Sequence, residues 1–63
     1  MIITNEWLIN NTTKSGGYTR VQLALLGVNW PPVSGWKKNV VDTEVDDNIT
    51  HQFEQISQQS KNI

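Results

Sequence analysis

Residues 30–36 read Trp-Pro-Pro-Val-Ser-Gly-Trp, and this segment limits every fold open to the chain. Two consecutive prolines fix φ near about −65° and remove two amide donors, so neither a helix interior nor a central strand runs through residues 31 and 32. Gly35 supplies a further turn just beyond. Regular elements must lie before and after this bend. Its two tryptophans also concentrate apolar area on a chain that is only 37% hydrophobic. A buried aromatic removes about 150–250 Å² from water. Trp30 and Trp36, together with Trp7, are therefore expected in the core, with Pro31-Pro32 aiming them. The alternative is an aromatic displayed to a partner, since Trp is favoured at interfaces.

With 63 residues the chain is one domain at most. The sequence predicts a compact unit over residues 1–58 and a frayed polar tail over 59–63. A domain this small needs a staple, a partner or dense aromatic packing to be stable. There is no Cys and one His, so neither a disulfide nor a zinc cage is expected, and no cofactor is implied. No apolar run is long enough to span a membrane, and the N-terminus lacks the layout of a signal peptide. The expectation is a soluble, cytoplasmic protein.

The formal net charge of −1 conceals two unlike parts. Residues 1–38 set Lys14, Arg20, Lys37 and Lys38 against Glu6, a net +3, whereas residues 39–63 set Lys61 against Asp42, Glu44, Asp46, Asp47 and Glu54, a net −4. This rules out a uniformly basic, nucleic-acid-coating surface but leaves a local basic face open.

Met1-Ile2-Ile3 is expected as a short strand. Thr4 caps a helix over 5–10 that places Ile3, Trp7 and Leu8 on one side, with Glu6 near its positive end. Residues 10–17 are a loop by composition. Thr19 caps a helix over 20–26 with Val21, Leu25 and Val28 as its apolar stripe and Leu23 and Leu26 widening that face, and Gly27 ends it. Residues 38–45 alternate as a strand, with Val41, Thr43 and Val45 on one face. Asp46 or Asp47 caps a last helix with the stripe Ile49, Phe53 and Ile56. The predicted fold class is an α+β mini-domain, mainly helical: two or three short helices with a small β-hairpin or wing, and a winged-helix layout as one option. The expected core is Ile3, Trp7, Leu8, Val21, Leu25, Val28, Trp30, Trp36, Val41, Val45, Ile49 and Phe53.

Tyr18, Arg20, Trp36, Lys37 and Lys38 interleave aromatic and basic groups, a mixture that can hold phosphates and stack bases or meet a protein partner. Residues 19–29 fit the first half of a helix-turn-helix, but Pro31-Pro32 and Gly35 interrupt the second; a wing near residues 36–45 would repair the misfit. The acids of residues 42–47 alternate as in a calcium loop, yet the sixth and twelfth positions hold Asp47 and Phe53 where Gly and Glu are required. They read instead as a strand edge and a helix cap. His51 and Glu54 are three apart, but a catalytic set needs a cleft that so small a fold hardly provides. Asn10, Asn11 and Asn48 begin glycosylation-type triplets, chance matches in an Asn- and Thr-rich chain.

The run Gly-Gly-Tyr-Thr-Arg-Val-Gln-Leu-Ala-Leu-Leu-Gly-Val-Asn-Trp-Pro-Pro-Val-Ser-Gly-Trp-Lys-Lys resembles small phage and prophage proteins of unassigned function. The likeness covers about residues 4–45 and centres on T-x-x-Q-L-x-x-L-G-V-x-W-P-P-x-x-G-W. In layout the chain also resembles phage excisionases, which begin with a short strand and a Thr-capped helix bearing Glu-Trp, here Thr4, Glu6 and Trp7, and place a proline-rich turn before a wing. The first likeness implies a phage or prophage accessory protein; the second implies DNA binding. The leading expectation is a non-enzymatic protein that binds a host or phage protein. DNA is the second partner class, a homodimer is a further option, and an enzyme is the remotest reading.

Overall fold

Side-chain caps decide where three of the four helices among the described residues begin. Thr4 Oγ1 accepts from the Trp7 amide at 3.0 Å and starts α1 (Asn5–Asn10). Thr19 does the same for α2 (Arg20–Leu25), where a reciprocal pair closes: the Gln22 amide donates to Thr19 Oγ1 at 3.0 Å, and the Thr19 amide donates to Gln22 Oε1 at 2.9 Å. Two amides that a helix start leaves without partners are thereby satisfied. Gly35, at φ 83°, turns the chain into α3 (Trp36–Val40). Asp46 accepts from the Asn48 amide at 2.8 Å and starts α4 (Asp47–Lys61), with the acid of Asp47 in the first turn as the helix dipole favours.

The end of α2 is equally local in origin. Gly27 takes φ 78°, its amide donates to the Ala24 carbonyl at 3.0 Å, and the Val28 amide reaches back to the Leu23 carbonyl at 2.9 Å. These two bonds satisfy carbonyls that the helix end would otherwise orphan, and a positive φ suits glycine.

The computed structural model describes residues 1–62, and among these there are four helices and no sheet. The expected α+β fold with a hairpin or wing is therefore corrected to an all-helical one. What remains of the β element is a single antiparallel bridge, Ile2 opposite Glu44, supported by Ile3 N–H to Thr43 O at 2.9 Å, Asp42 N–H to Ile3 O at 2.8 Å and Val45 N–H to Met1 O at 2.9 Å. Two features prevent a strand over 38–45. Residues 36–40 are already wound into α3, and Asp42 takes φ 70°, which kinks an extended chain. The alternation that predicted Val41 inward also fails, for Val40 is buried and Val41 and Val45 are half-buried.

The core gathers Ile3, Trp7, Leu8, Val40 and Phe53, and Leu23 is buried on α2. Trp7 and Phe53 meet with ring centroids 4.7 Å apart, and the Trp7 indole N–H donates to Glu54 at 2.8 Å, so its polar edge is satisfied. Val21 and Trp30, expected inside, are 60% and 49% exposed. The reason on α2 is that its inward stripe is Thr19, Gln22, Leu23 and Leu26, spaced i, i+3, i+4, i+7. A buried glutamine holds the position that an apolar count gives to Val21.

Polar anchors fix the loop after α1. Ser57 donates to the Thr12 carbonyl at 2.7 Å, the Lys14 amide donates to Ser60 Oγ at 3.1 Å, and Lys61 Nζ donates to the Asn10 carbonyl at 3.2 Å. Residues 59–61, expected as part of a frayed tail over 59–63, are thus the final turn of α4; Ile63 lies outside the described residues.

Candidate functional site

The bend between α2 and α3 carries two of the molecule's exposed large apolar side chains, Trp30 and Val33. The helix end at Gly27 and the left-handed Gly35 bracket Trp30-Pro31-Pro32-Val33, a segment whose prolines remove most backbone freedom. Trp30 is half exposed on it, and Val33 is 68% exposed. Behind them lies a groove of about 280 Å³ whose walls are Leu26, Val28, Val33, Trp36 and Val40, with Asn29 and Asn39 as its polar lips. A second depression, of about 270 Å³, continues from it past Gly27, Val28 and Asn29 to Trp30, Ala24 and Arg20.

Each predicted site residue has a definite place around this groove. Tyr18 is half-buried; its hydroxyl donates to the Leu8 carbonyl at 2.8 Å and its ring lies 6.0 Å from Phe53. Burial pushes its phenol above the ordinary value of 10.0, so it is a neutral supporting post. Trp36 meets Tyr18 edge-on, with centroids 5.4 Å apart and planes at 87°, a favoured aromatic geometry. Lys37 places Nζ 5.5 Å from the Tyr18 ring and 5.9 Å from the Trp36 ring, where the ring faces attract a cation. Lys38 is exposed and lines a neighbouring depression with Lys37, Asn5, Val41 and Asp42. Arg20 is exposed and lines the continuing depression together with Trp30.

The structure thus brings Tyr18, Trp36 and Lys37 into contact, sets Lys38 next to them, and separates Arg20 from that cluster. Sequence reasoning did not select Trp30 and Val33 as site residues. A signal was present: a Trp followed directly by two prolines belongs to no amphipathic face, so nothing in the pattern turns it inward.

The other chemistry-bearing residues have structural duties or stand apart. Glu54 is engaged with Trp7 and His51 is exposed on α4, so they form no acid–base pair. Asp46 caps α4, and among the described residues no three His, Asp or Glu side chains come together as metal ligands. No helix among those residues is long and apolar enough to cross a membrane. No family model, no curated protein and no solved structure matches the chain.

Proposed function

We propose that the chain is a small non-enzymatic accessory protein of a phage or prophage, acting in the host cytoplasm by binding a host or phage protein through the face that carries Trp30, Val33 and Trp36. The observation that carries this reading is the exposure of Trp30. A domain short of apolar area leaves a tryptophan 49% exposed, on a proline-stiffened bend beside an open apolar groove. Contiguous exposed apolar surface marks interaction sites, and Trp is among the residues that most often dominate binding energy. The stiff backbone adds to this, because a pre-ordered display loses little entropy on binding. The phage assignment rests on the resemblance of the Thr19–Trp36 motif.

Duplex DNA is the less favoured partner. The wing that would have carried an excisionase-like reading is absent among the described residues, and α3 has five residues, short for a helix that must present several side chains to a major groove.

The test is affinity capture from host and infected-cell lysates with wild type, Trp30→Ala and, as an equally exposed control on α1, Ile9→Ala. A protein retained by wild type and Ile9→Ala but lost with Trp30→Ala, and then binding the purified chain directly, is the expected result. Capture that ignores Trp30→Ala, or tight salt-sensitive retention of duplex DNA alone, rejects the proposal.

A further inference from the structure

We infer that the groove's occupant is a peptide segment of another protein in which a bulky apolar side chain is flanked by carboxylates. This deepens the protein-binding reading above and rests on it. The groove itself is uncharged, with Leu26, Val28, Val33 and Trp36 available to an apolar anchor. Cations stand beside it: Arg20 lines the depression that continues past Val28 to Trp30, and Lys37 is held over the rings of Tyr18 and the groove-lining Trp36, with Lys38 adjacent in sequence. Neither the groove nor its continuation has an Asp or Glu among its lining residues. Asp42 shares the depression of the lysines, and Glu44, Asp46 and Asp47 line a separate one with Met1 and Val45.

An apolar slot with positive groups beside it selects by charge as well as shape: carboxylates flanking the anchor are attracted, and a basic segment is repelled. Lys37 contributes with a reduced entropy penalty, since its ammonium is already drawn over two rings. The exposed residues Asn29 and Asn39, both lining the slot, carry amides that can offer donors and acceptors to a peptide backbone. A duplex would use the same cations but leaves the apolar slot empty. A second copy would have to bring its own acidic 42–47 segment to the slot. Both alternatives are decided by the experiment.

A random peptide library is selected on immobilised wild type with counter-selection on Trp30→Ala, and enriched peptides are titrated by fluorescence polarisation at low and raised salt. The expected result is enrichment of aromatic or large aliphatic anchors with neighbouring Asp or Glu. Binding should weaken with salt, about tenfold in the Arg20→Glu/Lys38→Glu double variant and about thirtyfold in Trp30→Ala. Matching thermal melts establish that both variants fold. Enriched apolar peptides that lack acids, or that ignore the charge reversal, overturn the acidic class and leave the docking reading intact. A library in which nothing prefers wild type to Trp30→Ala overturns both. Sedimentation showing a dimer that Trp30→Ala dissociates assigns the slot to a second copy, and displacement of the peptides by a short DNA duplex assigns the face to nucleic acid; either result rejects the proposal.

Discussion

The side-chain amide of Gln22 donates to the main-chain carbonyl of Phe53 at 3.3 Å, so a polar group from α2 rests on the backbone of the residue whose ring fills the centre of the core. The same NH₂ group donates to the Asn11 carbonyl at 3.1 Å, while Oε1 accepts from the Thr19 amide at 2.9 Å. One fully buried amide thus joins the α1 exit, the α2 start and the middle of α4. Gln22→Leu keeps the volume but strands those partners, and should cost about 2–4 kcal/mol, read as a lower urea midpoint. Gln22→Glu adds a signature in pH. A carboxylate facing two carbonyls is disfavoured, so its folded pKa rises above the unfolded value of about 4.3. Stability is then retained below that value and lost as pH climbs through the raised one. The variant's deficit relative to wild type should be larger near neutrality than in mild acid.

Tyr18 gives the alkaline counterpart. Burial raises its phenol above 10.0, and its hydroxyl donates to the Leu8 carbonyl. The sign is that of a group held in its protonated form: its contribution is complete below the unfolded pKa and declines as pH rises through the folded one. Absorbance of the phenolate should titrate later in the native chain than in urea. Tyr18→Phe should remove that alkaline component and cost about 1 kcal/mol at neutral pH through the lost hydrogen bond.

The tryptophans should separate by perturbation. Trp30→Ala should leave stability within about 0.5 kcal/mol of wild type, as expected for an exposed side chain away from caps and core. Trp36→Ala removes a half-buried ring and its edge-on contact with Tyr18, at about 2 kcal/mol. Acrylamide should quench the wild-type emission partly, and Trp30→Ala should abolish most of the readily quenched fraction. Equal destabilisation by both substitutions would place Trp30 in the core after all.

Asp42 is held at φ 70°, a conformation that L residues other than Asn and Asp rarely adopt. Asp42→Val should therefore cost about 1–2 kcal/mol, whereas Asp42→Asn should be nearly neutral, with thermal melts as the measurement. A neutral Asp42→Val would show that the bend between α3 and the Ile2–Glu44 bridge is not conformationally enforced.

Three helix starts were legible because caps are local chemistry: Thr4, Thr19 and Asp46 each accept from an amide two or three residues on, and the spacing is written in the chain, whereas α3 starts at Gly35 without such a cap and was not foreseen. The α2 terminus at Gly27 was legible for the same reason. Facing was harder. The inward positions of α2 and α4 include Gln22, Thr50 and Ser57, which an apolar count passes over although each is buried and hydrogen bonded. The strand expected at 38–45 failed because alternation gives a period without a partner; only residues 1–3 lie alongside, and α3 takes the first part of the segment. Around the groove, sequence identified the aromatic and basic residue types of Tyr18, Trp36, Lys37 and Lys38. It could not tell that Tyr18 faces inward as a support while Trp30 faces out, since that depends on how the bend is set against α2.

The three ties between residues 10–14 and residues 57–61 have a consequence for biosynthesis. The loop after α1 is fastened by hydrogen bonds to the last two turns of α4, some 45 to 51 residues further along the chain. During translation that loop emerges early, and these three long-range bonds form only once Ser57, Ser60 and Lys61 have left the ribosomal tunnel. These ties therefore close late in folding, because each joins an early loop to a helix made more than forty residues afterwards.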